Sequence, residues 1–506
     1  MTKLSPVDTA FFLLETEQRP MNVGALVVLA PPKGARGRFA DRLVATMLKV
    51  PVGPPFNYRL HKAPVTGLLS LEPDEKIDAS RQVFRHKLPV GCELQGLFER
   101  VSNIHVELLD RSAPLWQLHV FEGLPAGRVA LYFKTHHGLI DGIGFIRIVT
   151  GTVSKTARAR KPQSIWRGMP GGAPGGAETA GAGDMAHALL NLALEARRTV
   201  NDLVRLVWHQ GLRDLGIGHG LMTPFVTTPG LLKTAPTAHR IMAHCRLPLA
   251  KVRSIARASD AKINDVLLTV LDIAMTRYLA ERGTPPRQPL VADIPAALED
   301  HGGTGNRITI LQVPMGRPGG APAERLQDVV RETREMKGEL HAISGNALML
   351  YSIIEHSVAS LIESLNLRPL PMLANVVVSN PAGLTERVYF NGASVELALP
   401  VSVVGHQQVL NVTVTTYADQ LDVTFIALRE AIPDLPRLAD YAVTALDDLG
   451  RDLAHRPLLA GGRLQFPVGR ERMARELRQV VERHSVGDEP EVHAIVVGHQ
   501  GGVEPD

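Results

Sequence analysis

The sequence predicts a mixed α/β (α+β) chain built as two domains. Three observations carry that prediction. The 506 residues exceed what one ordinary core accommodates. Stretches with apolar residues at helical spacing alternate along the chain with short strand-like runs. A Gly-, Pro- and Ala-rich stretch at 168–183 reads as a flexible linker between the halves. The expected divisions are an N-terminal domain at 1–152, a basic linker with a crossover helix at 153–237, a second domain at 238–454 and a C-terminal extension at 455–506.

The elements follow in order. Ser5 can cap a helix, Pro6 suits its first position and Asp8 favours its positive end, with Arg19-Pro20 as the stop. A buried strand is expected at 21–29, a helix at 37–50, an extended run at 81–90 and a helix at 93–109. Pro114-Leu115-Trp116 leads into a strand at 117–121, and a further strand covers 128–133. Residues 143–149 are apolar, and their length does not choose between helix and strand. Asp184 can cap a helix with Met185, Leu189, Leu192, Ala196, Val200, Leu203 and Val207 along one stripe. The second domain reads as a strand at 240–247, a helix at 248–258, a helix at 266–279 capped by Asn264, strands at 290–294 and 308–313, and a helix at 322–340. A strand at 375–380 precedes a β-meander at 388–390, 393–399, 408–417 and 419–428. Helices at 435–449 and 470–484 complete the chain.

Composition narrows the function classes. Hydrophobic residues at 45% and charged residues at 21% describe a globular protein. A net charge of +4, without zinc-finger spacing or an RNP-like aromatic strand, points away from nucleic acid. Cys92 and Cys245 lie far apart and give no disulfide framework, so a cytoplasmic location is expected. The N-terminus is acid-containing and amphipathic, unlike a signal peptide, and no run of about eighteen apolar residues occurs. Membrane contact would be peripheral, on the inner face of the membrane or on lipid inclusions. The helix after 184 has two readings: packing on both domains, or facing lipid with the help of Trp166, Trp208 and the basic run at 153–167.

The chemistry concentrates in His136-His137-Gly138-Leu139-Ile140-Asp141-Gly142. A neutral imidazole takes a proton near neutral pH. Asp141 could orient an imidazole or pair with a distant Arg, and the glycines allow close approach. Adjacent strand residues point to opposite faces, which disfavours a shared metal ion.

This run is the His-His-x-x-x-Asp-Gly signature of the acyl-CoA-dependent acyltransferases, which include chloramphenicol acetyltransferase, carnitine acyltransferases and peptide-synthetase condensation domains. The wider chain resembles the bacterial wax ester synthase/diacylglycerol acyltransferases. The matching motifs, in order, are Leu4-Ser5-Pro6-Val7-Asp8, Pro20-Met21-Asn22-Val23-Gly24, Pro114-Leu115-Trp116, Asn264-Asp265, Gly305-Asn306-Arg307 and Ser379-Asn380-Pro381. Asn22 stands where the family usually has His, Ser379-Asn380-Pro381-Ala382-Gly383 is close to the usual Ser-Asn-Val-Pro-Gly but altered, and Ala418-Asp419 departs from a usual small-Gly pair.

The resemblance implies two chloramphenicol-acetyltransferase-like domains around a central active-site channel. It implies acyl transfer from acyl-CoA, as co-substrate, to diacylglycerol or a long-chain fatty alcohol, with no cofactor or metal. His137 would be the general base, His136 its support, Asp141 the orienting group and Gly142 part of the turn. Asn264 would donate to the oxyanion or substrate, Asp265 would be its structural partner, and Pro114, Leu115 and Trp116 would seat the histidine strand. The alternatives are another lipid hydroxyl as acceptor, or an idle lipid-binding homologue.

Overall fold

A strand buried on both faces must lie inside a sheet. Val129–His136 is such a strand in the computed structural model: all eight of its residues are buried. The structure describes residues 2–455 apart from 33, 35–36, 65, 141, 159–160, 169–184, 217–219, 228–233, 298–307, 366–370 and 382, together with the backbone of 458–459 and 463–464.

The first half contains β1 (Thr2–Lys3), α1 (Pro6–Leu14), β2 (Asn22–Ala30), α2 (Phe39–Met47), β3 (Tyr58–Lys62), β4 (Leu69–Pro73), β5 (Val83–Lys87), α3 (Leu94–Val106), β6 (Trp116–Glu122), β7 (Val129–His136) and α4 (Gly142–Gly151). The ambiguous apolar run after the histidines is therefore a helix. Next come α5 (Met185–Asp214), β8 (Arg240–Pro248), α6 (Leu249–Ala258), α7 (Ile263–Glu281), β9 (Val291–Ala297), β10 (Ile308–Pro314), α8 (Pro322–Ala342) and α9 (Gly345–Ser364). The last elements before residue 456 are β11 (Val376–Ser379), β12 (Tyr389–Phe390), β13 (Ala393–Val401), β14 (Leu410–Tyr417), β15 (Gln420–Leu428) and α10 (Leu435–Ala454).

Two six-stranded sheets organise residues 1–456, which form one compact unit. The first has the order β12-β13-β2-β7-β6-β5 and the second β10-β9-β11-β14-β15-β8. A small sheet, β1-β4-β3, joins neither by hydrogen bonds, but its Tyr58 and Leu71 pack into the core of the first. Residues 457–506 form a separate unit, in which Leu458–Leu459 pairs antiparallel with Arg463–Leu464. The expected helix at 470–484, the Asp184 cap and Gly305-Asn306-Arg307 lie outside the described residues.

Four expectations are corrected. α1 ends at Leu14, five residues before Arg19, because Glu15 is extended (φ −67°, ψ 130°). The expected meander is split between two sheets: β13 pairs antiparallel with β12 and with β2 in the first, whereas β14 and β15 form a hairpin in the second. The alternating burial of β13 marks a strand but not its second partner, β2, which lies more than 360 residues away in sequence. Residues 345–364 form α9, for which no element was expected. Trp166 does not face lipid; it is fully buried, stacked on Trp116 at 5.5 Å, and its indole N–H donates to the Val50 carbonyl at 2.9 Å.

The C-terminal end of α3 shows how the core supports the histidine strand. A helix leaves its last carbonyls without partners. Buried Lys134 of β7 donates to the Ile104 and Glu107 carbonyls, and buried Asn22 of β2 donates to those of His105 and Glu107. Burial lowers the Lys134 pKa to about 8, with Glu107 and Glu15 opposing the shift.

The aromatic stack beneath β7 runs from Trp166 through Trp116 to Phe133. Truncating a buried aromatic of this size costs about 3–5 kcal/mol. Trp166→Ala should therefore lower the unfolding free energy by that amount in urea titrations followed by circular dichroism. A loss below about 1 kcal/mol would show that the stack is dispensable.

Candidate active site

The histidines sit where β7 leaves the first sheet. The His136 amide donates to the Leu115 carbonyl (3.1 Å), and the Thr135 hydroxyl donates to the same oxygen (3.0 Å). Pro114-Leu115-Trp116 thus holds the histidine strand through main-chain bonding. The Trp116 indole adds an anchor of its own, donating to the Phe56 carbonyl at 2.9 Å.

Met21 clamps the other side. Its carbonyl accepts the His137 amide at 2.8 Å, and its amide donates to Glu15 Oε1 at 3.1 Å. Both contacts use Met21 backbone, so the departure at Asn22 leaves them intact. The Asn22 side chain points instead to the end of α3. Gly138 is required by packing: a Cβ there would lie 2.5 Å from the Phe12 ring and 2.9 Å from the Asp8 carbonyl. Gly142 is not required in that way. It opens α4 instead of closing the turn, and a Cβ would meet open space. Asp141 lies outside the described residues.

His136 is buried and stacks on Phe12 at 4.1 Å with the rings 3° from parallel. Its Nδ1 accepts the Gly138 amide at 3.0 Å. The proton of a neutral ring then belongs on Nε2, which faces Glu15 Oε1 at 3.4 Å. Burial alone would raise the Glu15 pKa. His136, the Met21 amide and Arg111 outweigh it and hold the carboxyl at about 2.

His137 is half-buried, with Phe11 stacked on its ring at 4.0 Å. Its Nδ1 is sealed from solvent without a hydrogen-bond partner among the described residues. Burial, with His136 adding to it, lowers its pKa to about 4. The imidazole is thus neutral at physiological pH and able to accept a proton.

Asn264 is not a helix cap. Lys262 caps α7, and Asn264 is its second residue, exposed, with Oδ1 accepting from Asn380 Nδ2 at 2.6 Å. Asp265 is buried; it accepts the Lys262 amide at 2.8 Å and the Thr333 hydroxyl at 2.8 Å. Asn264 and Asn380, far apart in sequence, are thereby brought together. Among the described residues no hydrogen bond links them to the histidine turn. A surface cleft lined by Gln95, Glu99, Ile241, Met242, Arg429 and Arg437 contains none of these site residues.

Sequence reasoning missed Glu15, Phe11, Phe12 and the two roles of the Met21 peptide. The available signal was an acid directly after an apolar helix and ahead of a buried strand.

The chain is similar to known proteins over most of its length. Residues 4–267 match the wax ester synthase/diacylglycerol acyltransferase catalytic domain, and residues 304–450 match the WS/DGAT C-terminal domain. O-acyltransferase WSD of Acinetobacter baylyi is 29% identical over 449 residues, covering 87% of this chain and 95% of its own. Tgs4 of Mycobacterium tuberculosis, named a probable diacylglycerol O-acyltransferase, is 30% identical over 483 residues, covering 89% of this chain and 96% of its own. The solved wax ester synthase/diacylglycerol acyltransferase of Marinobacter aquaeolei VT8 superposes with a TM-score of 0.68 at 26% identity, covering 89% of this chain and 99% of that one. A condensation domain of the calcium-dependent antibiotic synthetase shares the fold, with a TM-score of 0.56 at 16% identity over 89% of this chain and 96% of that one.

The Glu15 carboxyl titrates near 2 when folded, against about 4.5 when free. Its contribution to stability is therefore complete above pH 4.5 and is lost as pH falls towards 2. Glu15→Gln should remove about 3 kcal/mol at pH 7 and flatten the acid limb of the stability profile. An unchanged acid limb would mean that Glu15 does not carry it. The ordered motifs, the two-sheet fold and the matches over most of the chain agree: this protein belongs to the wax ester synthase/diacylglycerol acyltransferase family of O-acyltransferases.

Proposed function

We propose that the protein transfers a long-chain acyl group from acyl-CoA to the hydroxyl of diacylglycerol or of a long-chain fatty alcohol. The observation that carries this reading is His137: a neutral, half-buried imidazole, fixed by the Met21 carbonyl and the Phe11 ring. Its Nδ1 is sealed, so proton exchange falls to Nε2.

In this mechanism His137 takes the hydroxyl proton as the alcohol oxygen attacks the thioester carbonyl. The new C–O bond gives a tetrahedral oxyanion. Its collapse breaks the C–S bond, and the CoA thiolate takes the proton from the His137 imidazolium. Bringing both substrates to one centre supplies much of the rate, and no covalent acyl-enzyme is needed. His136 and Glu15 position the turn. Asn264, whose Oδ1 is already engaged by Asn380, directs its amide N–H groups to the oxyanion. The lipophilic acceptor also implies peripheral contact with a membrane or a lipid inclusion.

Thiol release from palmitoyl-CoA, with hexadecanol and dipalmitin offered separately, tests the reaction and selects the acceptor. His137→Ala should lower kcat about 10²- to 10⁴-fold while the fold is retained. Full activity in a folded variant would remove His137 from the base role, and wild-type protein releasing no CoA with any lipid hydroxyl would remove the reaction. After correction for substrate ionisation, the acid limb of kcat/KM should bend near pH 4 instead of near the ordinary imidazole value of about 6.5, because the lowered pKa keeps the base form present down to that point.

A further inference from the structure

Two neighbouring helices leave apolar side chains in solvent. The inner face of α5 carries Leu206 and Gln210; Leu206 is buried, and Gln210 Nε2 donates to the Tyr351 hydroxyl of α9 at 2.6 Å. Arg213 binds Glu332 of α8 on the same side. The outer face carries Val200, Val204, Val207 and Trp208, each more than half exposed. That spacing places all four on one face of the helix.

The outer face of α9 continues the pattern. Its exposed positions from 350 onward are Leu350, Ile354, Ser357, Val358, Leu361 and Ser364, with no charged group among them. The acids of this stretch face inward: Glu355 is buried, and Glu363 pairs with buried Arg19 at 2.7 Å. Solvent-facing apolar stripes on two packed helices exceed the scattered apolar exposure of ordinary surfaces.

Charge decides between occupants. The exposed residues of α5 from 197 onward include Arg197, Arg198 and Arg205, and the one acid among them, Asp214, lies at the C-terminal end and accepts from the Thr223 hydroxyl. A symmetric pairing of two copies would present the same patch on both partners and add like charges. Anionic lipid headgroups would neutralise those charges while the apolar stripes enter the interface. The surface is also tied to the histidine turn. Arg19, held by α9, lies between α1 and β2, and His406, beside Glu363, donates to the Leu14 carbonyl of α1. Phe11 of α1 stacks on His137.

We propose that the outer faces of α5 and α9 form one docking surface that seats the protein on an anionic lipid layer. The proposal rests on the lipid-acceptor reading above and specifies the surface through which the acceptor is met.

Flotation of the full chain with phosphatidylcholine vesicles, with and without phosphatidylglycerol, tests it. Wild-type protein should float with the anionic vesicles. The combined I354E and L361E change should reduce that recovery at least about tenfold, since it places charge where apolar burial is required. Joint reversal of Arg197, Arg198 and Arg205 to Glu should reduce it about a hundredfold. Thiol release with a water-soluble short-chain alcohol should stay at the wild-type level in both variants, which also shows that they fold. Equal flotation of wild type and variants would overturn the proposal. So would a wild-type dimer in sedimentation that I354E and L361E convert to monomer, because a second copy would then cover the face. An active wild type that never floats defeats this proposal alone; a floating wild type that never transfers acyl groups defeats the reaction alone.

Discussion

The peptide of Met21 carries the geometry of the site. Its amide engages Glu15 and its carbonyl engages His137, so a single residue spans the buried acid and the second histidine. Glu15 in turn faces His136, whose other nitrogen accepts the Gly138 amide. The two imidazoles are thereby held differently, although they are adjacent. One is buried against a carboxylate and Phe12, and the other is stacked on Phe11 and left half-open.

That arrangement depends on several polar groups taken out of water. Such groups are tolerated when their bonds are made, and they then hold a unique geometry. Lys134 and Asn22 are both buried, and both spend their donors on the carbonyls at the end of α3. Arg19 is satisfied by Glu363 and the Gln408 carbonyl. Burial alone would raise the Glu363 pKa, but His406, Arg19 and the Gln407 amide hold it at about 2. His105 shows the complementary case: burial lowers its pKa to about 3, and the neutral ring lies between the Tyr132 hydroxyl and the Ser402 carbonyl.

These contacts also explain why residues 1–456 form one unit. β13 completes the first sheet from the second half of the chain. Arg240 of β8 reaches the Gln18 carbonyl in the segment between α1 and β2, and His105 of α3 reaches Ser402 just beyond β13. The loop carrying Glu15 and Met21 is therefore braced by both halves, and a change in either one bears on the turn.

Much of the molecule was legible from local pattern. The Ser5 cap, the strand leading into the histidines, the helix after Pro322 and the closing helix from Leu435 all follow from near neighbours, because periodicity and capping are local properties. The histidine pair and its ordered companion motifs likewise marked the family. Other features needed the folded chain. Only tertiary structure showed that Glu15 faces His136, that Asn264 meets Asn380, that Trp166 is core and that β13 serves the first sheet. Each joins residues whose pairing is chosen by long-range packing and by the completion of buried hydrogen bonds. The sequence by itself determined which residues could do the chemistry; the tertiary structure decided which of them are held to do it, because a pKa and an orientation belong to a surrounding, not to a residue.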